Sequence, residues 1–441
     1  MQNVEPQVEP WMLLPFAVML LAIALAPLFA GRVWEKNSNK FVFTLLVSLP
    51  TAVFLIYEGF GHNLFHQIFY DYLPFIILLC SLFVVTGGLR LHYNTTATPT
   101  VNTAVLFVGY GLASVVGTTG ASMLLIRPLL EMNRHRTNKV HTVLFFIALV
   151  ANCGGVLSPL GDPPLFLLYL RGAPFGWFPT LFPEWAFVGA TILLIYYLLD
   201  TYLYKHRDFM GVRPRGENEE DEPLSISVGG VINIFYLSAI VLAVAFVNPS
   251  NIPAMAAEDA PVWLKFMREI ILVAIIVLSL ISTRRRVRRD NRFSWEPIIE
   301  VAILFIGIFV TMTPALEYLN ANASMLGVTT PRDFFYSAGV LSSFLDNAPT
   351  AVAFHTVAEG LNVAEGVPVV AGVAEPLLRA IALGSVFFGA MTYVGNGPNF
   401  MVKAIAEEAD VKMPSFFGYI FKFSLPLLLV VYIVMQIIFI G

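Results

Sequence analysis

The chain has 441 residues, of which 57% are hydrophobic and 13% are charged, with a formal net charge of −4 and a mean hydropathy of +0.74. Soluble domains are roughly 45–50% apolar and about 25% charged, so this composition excludes an ordinary soluble protein. The charge balance predicts no nucleic-acid partner, and Cys80 and Cys153 lack the spacing of a disulfide framework or a metal site.

Long apolar runs predict ten membrane-spanning helices, because each span needs about 20 apolar residues. In chain order the predicted spans are 12–30, 41–58, 74–90, 141–171, 184–204, 228–248, 268–283, 298–317, 377–405 and 418–440. Two further apolar stretches, 103–131 and 335–358, are interrupted by the polar clusters GTTGAS and DNAPT. Each is predicted to be a re-entrant hairpin that enters and leaves the membrane on one side.

The distribution of Lys and Arg predicts how these spans are oriented, since basic residues concentrate in cytoplasmic loops. Nineteen of the 26 basic residues lie in loops placed inside, including the RRRVRR run from Arg284. Loops placed outside hold Lys265 and Arg332 and are otherwise acidic. The sequence therefore predicts a multi-pass protein of the cell inner membrane, surrounded by lipid, with both termini outside.

The two halves of the chain repeat the same order of elements. GLASVVGTTGASMLLIRPLLE, from Gly111, aligns with GVLSSFLDNAPTAVAFHTVAE, from Gly339, and NCGGVLSPLGDPP aligns with FGAMTYVGNGP. The halves are 1–204 and 228–441, and 205–227 is predicted to be a flexible cytoplasmic linker. Because each half has five crossings, an odd number, the second half enters the membrane in the opposite orientation.

The predicted fold is therefore an all-α integral membrane protein. It consists of two inverted repeats of five transmembrane helices and one re-entrant hairpin each. Helices 141–171 and 377–405 are predicted to be broken by their Gly and Pro residues. Inverted repeats whose broken helices meet near mid-membrane are typical of secondary transporters.

Polar residues at the breaks and hairpin tips form the predicted transport site. Pro159, Pro163 and Pro164 remove backbone donors around Asp162, which predicts that the helix breaks there. The alternative is a Pro-rich loop outside the bilayer, but apolar sequence flanks the motif closely. The predicted cation and proton ligands are Asp162, Asp346, Asn347, Asn396, Thr118, Thr119, Ser158, Asn399 and Thr350.

Two of these residues are acids, Asp162 and Asp346, and they occupy non-equivalent positions of the two halves. An ionisable residue inside a span is costly and indicates function. Pseudo-symmetry would bring the two acids into one region, among amide and hydroxyl oxygens that suit Na⁺ or Li⁺. Two close carboxylates share protons, so the pair is predicted to bind transported Na⁺ or H⁺ without any resident cofactor.

Three other charged residues have open roles. Glu317 is predicted to be either a proton-relay group or an interfacial residue. His355 either couples protons or packs in the core. Arg127 contacts an anionic substrate, pairs with a carboxylate, or extends to the membrane surface.

The LDNAPT hairpin, the SPLGDPP break, the FIGIFVTMTPALE span and the GNGPN break together resemble the ion transporter superfamily. Within it the chain is most similar to the NhaD-type sodium/proton antiporters and the citrate-transport proteins related to them. The resemblance implies a homodimer with a scaffold and a moving transport domain that carries both hairpins and both broken helices. It also implies that Asp162, Asp346, Asn347 and Asn396 form the cation and proton site. Prolines stand where NhaD-type sequences have hydroxyl residues after the GD, which leaves the number of ligands open.

The predicted function is sodium or lithium/proton antiport by alternating access. The alternative is Na⁺- or H⁺-coupled transport of citrate or a dicarboxylate, with Thr118, Thr119 and Arg127 receiving the anion. Both hairpins lack the Ser-Asn-Thr tips of the superfamily's divalent-anion symporters. An enzyme is not predicted, because the GxGD motif of intramembrane aspartyl proteases has Pro159 in place of its first glycine here.

Overall fold

A computed structural model of the chain describes residues 9–94, 97–206, 225–257 and 259–441. Most of the predicted linker, 205–227, lies outside the described residues. Arg207, Arg213 and Arg215, which contribute to the predicted orientation, lie outside them too.

Within the described ranges, eight helices are long and apolar enough to cross a membrane. They are Pro10–Pro27, Asn37–Tyr57, Gly61–Thr86, Pro99–Val116, Val140–Leu157, Phe175–His206, Glu296–Ala321 and Phe416–Phe439. The shorter helices Ile232–Phe246 and Met267–Ser282 coincide with the predicted spans 228–248 and 268–283. The chain is therefore a multi-pass helical membrane protein, as predicted.

The described part of the first half forms ten α-helices and one strand. In order these are α1 Leu14–Phe29, α2 Gly31–Trp34, α3 Asn37–Tyr57, α4 Gly61–His66, α5 Leu73–Thr86, β1 Arg90–Asn94, α6 Pro99–Val116, α7 Thr118–Met132, α8 Val140–Leu149, α9 Pro163–Leu170 and α10 Phe182–His206. A π-helical segment, Gln67–Tyr72, joins α4 to α5. Short 3-10 helices lie at Pro10–Leu13, Cys153–Leu157 and Phe175–Leu181.

The described part of the second half forms eleven α-helices and three strands. In order these are β2 Ser225–Gly229, α11 Ile232–Phe246, α12 Val262–Lys265, α13 Met267–Ser282, α14 Arg285–Asp290, α15 Glu296–Ala321, α16 Pro331–Phe344, α17 Asn347–Glu359, β3 Val369–Val370, β4 Val373–Ala374, α18 Glu375–Gly389, α19 Gly397–Glu408, α20 Phe416–Tyr419 and α21 Val430–Phe439. The π-helical segment Ile420–Leu429 makes α20 and α21 one continuous helix. Two 3-10 helices lie at Pro253–Ala256 and Ala323–Leu326.

Two small antiparallel sheets depart from the all-α prediction. Strand β1 pairs with β2, with Leu91 opposite Val228, and β3 pairs with β4. Residues 225–227, which were assigned to the linker, therefore belong to a strand. Segments of two to five residues are too short for alternating hydrophobicity to distinguish them from loops, so the pairing depends on tertiary context.

Both predicted hairpins are pairs of helices, and each is longer than predicted. The first spans α6 and α7, which separate at Gly117, where a φ of +81° favours glycine. The second spans α16 and α17, which separate at Leu345 and Asp346. The Asp346 carboxylate accepts from the backbone N–H of Ala348 and so caps the start of α17.

Both predicted broken helices are interrupted. The first consists of α8, a 3-10 segment and α9, with Pro163 and Pro164 in the first turn of α9, where missing N–H groups cost nothing. The second consists of α18 and α19, with residues 390–396 between them and Pro398 in the first turn of α19. Each break leaves free backbone groups inside the protein.

The hairpins and broken helices occupy the centre of the protein. Helix α9 packs against α17 and α18, α7 packs against α19, and α16 packs along α18. By contrast, α3 exposes large apolar side chains, including Leu46 at 68% and Ile56 at 62%. Such a face is suited to lipid, whereas the polar breaks are enclosed by protein.

Thr330 and Asp333 form a capping box at the exposed start of α16. The side-chain and backbone hydrogen bonds from Thr330 lower the pKa of Asp333. We expect Thr330→Ala to lower the free energy of unfolding by about 1 kcal/mol at neutral pH. Because the native pKa lies below the unfolded value, the contribution of ionised Asp333 disappears as the pH falls through the native pKa. The difference between the two proteins should therefore narrow in acid, to the part that comes from the bond between the Asp333 N–H and Thr330 Oγ1.

Thermal unfolding of the purified protein at neutral and acidic pH checks this expectation. Thr329→Ala, at an exposed neighbouring position, is the matched control. A difference between wild type and Thr330→Ala that persists unchanged in acid would contradict the role of the Asp333 carboxylate.

Candidate functional site

Asp162 lies where four helices begin. It directly precedes α9, and its side chain is almost completely buried, with the residue 2% exposed. Helix α7 begins at Thr118, α17 at Asn347, and α19 directly after Asn396. The two hairpin tips and the two helix breaks therefore meet at one carboxylate.

One residue from each of the other three helix starts donates a hydrogen bond to Asp162. Thr118 Oγ1 donates to Oδ1 over 2.6 Å, and Asn396 Nδ2 donates to the same oxygen over 3.0 Å. Asn347 Nδ2 donates to Oδ2. These bonds join segments far apart in sequence, so the carboxylate fixes the hairpin tips and breaks relative to one another.

The side chains that donate hydrogen bonds to Asp162 are polar but uncharged. All three donors are neutral side chains, and among the described residues no salt bridge reaches this carboxylate. The N-terminal ends of the four helices carry partial positive charge, which favours an anionic group at their meeting point. The site can therefore hold negative charge inside the protein without a basic side chain.

Asn152 is a further candidate site residue, which the sequence did not predict. It is fully buried, and its Nδ2 donates to Asn399 Oδ1 over 2.6 Å and to the Ile147 carbonyl over 2.8 Å. This links the two broken helices. The available signal was an amide residue within an apolar run, two residues before Gly154 and Gly155 of the first break.

Two buried amide oxygens accept no hydrogen bond from the protein, namely Oδ1 of Asn152 and Oδ1 of Asn347, whose Nδ2 donates to Asp162. A Cβ added to Gly389 would lie 2.9 Å from Asn152 Oδ1, 3.4 Å from the Gly395 carbonyl and 3.5 Å from Asn347 Nδ2. Asn152 Oδ1 and the Gly395 carbonyl therefore face one small space, which Asn347 Nδ2 also borders. Neutral amide and carbonyl oxygens are among the ligands that a hard monovalent cation prefers.

The structure places the other predicted ligands around this centre without direct bonds to Asp162. Thr350 Oγ1 donates to the Asp346 carbonyl over 3.0 Å, within the first turn of α17. Ser158 donates to the Ser114 carbonyl of the facing hairpin. Asn399 Nδ2 donates to the carbonyls of Gly389 and Thr392, which fixes the second break.

Thr119 is partly buried and lines a cavity of about 70 Å³ beside Thr118 and Gly161. The rest of this cavity is mostly apolar, with walls from α5 and α15. A space of this size holds only a few water molecules. Any larger substrate at the hairpin tip thus requires helices to move apart.

Glu317, His355 and Arg127 lie away from Asp162 along their helices. Arg127 is in the third turn of α7 and approaches Glu408 of α19, with 3.9 Å between Nη1 and Oε2. His355 Nε2 lies 3.0 Å from the Ala371 carbonyl. Glu317 accepts a hydrogen bond from Asn63 at the far end of α15. None of the three is therefore hydrogen-bonded to Asp162. A proton relay from Glu317 or His355, or an anion contact by Arg127, would need intervening groups to reach Asp162.

Comparison with known proteins gives a family match over almost the whole chain. Residues 5–440 match the family described as "Putative citrate transport". A protein of Mycobacterium tuberculosis named as an uncharacterized transporter is 24% identical over 374 residues, which cover 78% of this chain and 82% of that protein. An uncharacterized transporter of Synechocystis is 24% identical over 312 residues, 65% of each chain.

Proposed function

The chain belongs to the citrate transport family that its residues 5–440 match, and on that premise we propose that it is a secondary transporter of small carboxylates, coupled to Na⁺ or H⁺. Transport itself is supported by the names of its relatives as well as by the multi-pass fold. The observation that carries the proposal is the convergence of four helix N-termini on one buried point.

Helix N-termini favour anionic ligands, because their free N–H groups and partial positive charge point at the ligand. In this protein two of the four N-termini, those of α7 and α17, belong to the hairpins. We assign the carboxylate substrate to these tips, near Thr118 and Thr119. The substrate would meet hydroxyl and backbone donors there rather than a basic side chain.

Asp162 then has a different role, as the coupling residue. A cation held between its carboxylate and the amide oxygens of Asn152 and Asn347 would neutralise the negative charge of Asp162. A proton on Asp162 would have the same effect. Either event favours the arrival of an anion next to it, which is a physical basis for symport.

The directions of the half-helices support alternating access. Helices α7 and α19 leave the site together and pack against each other, and α9 and α17 form the other packed pair. We propose that the predicted inverted repeat is the origin of this pairing. The hairpins and broken helices would move as one body against the remaining helices, in a homodimer of the cell inner membrane.

Sodium/proton antiport is the second candidate function, and one observation favours it. Among the described residues, no Lys or Arg donates a hydrogen bond to any of the four side chains at the centre. The neighbouring cavity of about 70 Å³ is also too small for a tricarboxylate. A small cation needs neither a basic residue nor more space.

Transport in proteoliposomes distinguishes the two functions. We expect an inward Na⁺ or H⁺ gradient to drive accumulation of labelled citrate or succinate at least about tenfold above protein-free vesicles, since a tenfold ratio corresponds to only about 1.4 kcal/mol of gradient energy. Ionophores that collapse the driving gradient are the control. If neither acid accumulates, and external Na⁺ instead dissipates an imposed pH gradient, the carboxylate proposal is wrong and antiport replaces it.

A further inference from the structure

A second and much larger cavity, of about 530 Å³, lies at the other end of α9 and α17. These helices begin at the Asp162 site and end at Leu170 and Glu359, which line this cavity. With a rise of about 1.5 Å per residue, the eight residues of α9 place the cavity roughly 12 Å from Asp162. The opposite wall comes from α4, the π-helical segment after it, and α15. We call this cavity the vestibule.

The vestibule is acidic. Asp71, Glu317 and Glu359 line it, together with one guanidinium, that of Arg171. Three carboxylates against one guanidinium leave two uncompensated negative charges when the histidines are neutral. Helix polarity acts in the same direction, because the C-terminal ends of α9 and α17 carry partial negative charge. The vestibule therefore has the opposite polarity to the Asp162 site.

Arg171 is already shared between two of these acids. Its Nη2 lies 3.7 Å from Asp71 Oδ2, and its Nη1 lies 3.9 Å from Glu359 Oε2. Three histidines of the described residues also lie at the vestibule: His62 and His66 line it, and His355 Nδ1 is 3.6 Å from Glu359 Oε1. A carboxylate ligand would have to compete with Asp71 and Glu359 for Arg171, whereas a cation would be attracted by both acids.

Two buried polar side chains that line the vestibule have no hydrogen-bond partner in the protein. These are Thr356, whose Oγ1 is unpaired, and Gln67, whose Nε2 is unpaired; the residues are 3% and 6% exposed. Burying a polar atom without a partner costs free energy, so such atoms indicate a ligand or its hydration shell. The Thr356 oxygen can bind a cation or its water, and the Gln67 amide can donate to that water or to a carboxylate that holds it.

We infer that the vestibule is a second binding site, which collects hydrated alkali cations and supplies them to Asp162. The supply of cations to Asp162 rests on the proposed function, in which a cation couples transport. The attraction of cations to the vestibule does not depend on it. An acidic cavity with low-dielectric walls concentrates counter-ions by about 10- to 1,000-fold. The basic-residue distribution predicts that the vestibule faces outside, where Na⁺ would enter.

Charge-selective labelling of a single cysteine tests the vestibule without any transport measurement. Asn320, which is exposed and lines the vestibule, is replaced by Cys in a protein that also carries Cys80→Ala and Cys153→Ser. The rates of modification by a cationic and an anionic methanethiosulfonate of similar size are measured in detergent and divided by the rates for a free thiol. We expect the cation to be favoured at least about tenfold at low ionic strength, and less in high salt.

Variants that remove one charge from the vestibule test whether its acidic residues cause the preference for the cationic reagent. Asp71→Asn and Glu359→Gln should each lower the cation preference severalfold, and Arg171→Gln should raise it. Glu359 is half-exposed on its helix end, so Glu359→Gln keeps the test available if Asp71→Asn does not fold. Cysteine at Ser250, in an exposed loop, is the control, and its preference should not respond to Glu359→Gln.

Equal or anion-favouring rates at Asn320→Cys would overturn the inference and would assign the vestibule to the carboxylate instead. In transport, Glu359→Gln should raise the external Na⁺ concentration that gives half-maximal uptake, and an unchanged value would remove the supply role. If citrate uptake fails altogether, the proposed function falls while the labelling ratios still decide the nature of the vestibule.

Discussion

Asp162→Asn is expected to lower coupled uptake of labelled citrate by at least about tenfold in proteoliposomes. The side chain keeps its shape, but the charge that balances four helix N-termini and binds the coupling cation is lost. The Asn347 amide also faces an amide in place of a carboxylate oxygen, so one of the two must rotate. Hydrogen bonds to a charged group contribute about 1.5–3 kcal/mol, and about 1.4 kcal/mol corresponds to a factor of ten.

The measurement is the initial rate of uptake under a Na⁺ or pH gradient, at equal amounts of folded protein. Asp410→Asn is the matched control, because Asp410 is exposed and its positive φ of 59° suits asparagine equally well. Its uptake should equal that of the wild type. A folded Asp162→Asn protein that retains more than about a tenth of wild-type uptake would show that another group couples transport.

Local rules predicted where the chain would break. Proline and glycine act through backbone geometry, so SPLGDPP and GNGP indicated interruptions at positions where α9 and α19 begin. The alignment of the two halves then brought the hairpin tips to the same region as these breaks. The structure does place Thr118, Asp162, Asn347 and Asn396 together, and their role as ligands stays a prediction.

The direction of side chains and the contacts between distant segments could not be predicted from local backbone rules. Asn152 was missed because nothing in its local sequence shows that its amide crosses to Asn399 in the other half. Arg127 follows the hairpin tip at Thr118 by nine residues, yet it lies in the third turn of α7 and approaches Glu408 instead of Asp162. Glu317 and Glu359 lie at the C-terminal ends of α15 and α17. They therefore face the vestibule and not the Asp162 carboxylate.

The polarity of α9 and α17 connects the two cavities to one mechanism. An anion is favoured where helices begin, and a cation is favoured where two of them end. Cations would therefore be collected in the vestibule, about 12 Å along α9 from the point where the carboxylate substrate is stabilised. The cation and the anion would meet at Asp162. The affinity for the cation should therefore depend on the neutral side chains around Asp162, such as Asn152.

Asn152→Ala should raise the Na⁺ concentration for half-maximal uptake by about tenfold or more, with a much smaller change in the concentration of citrate required. The substitution removes an amide oxygen that accepts no hydrogen bond from the protein and also frees Asn399 from its partner. Loss of one neutral ligand and loss of ligand orientation together are worth about 1–3 kcal/mol. The anion at the hairpin tips makes no contact with Asn152 in this proposal, so its affinity should follow only through coupling.

Asn102→Ala is the matched control for the general cost of removing a buried asparagine. Asn102 is also fully buried, but it bonds to Asn133 and Asp200, away from the site. It should lower thermal stability without changing the ratio of the Na⁺ and citrate requirements. If Asn152→Ala shifts both requirements equally, or behaves like Asn102→Ala, then Asn152 only holds the two broken helices together, and the cation must find its neutral ligands elsewhere around Asp162.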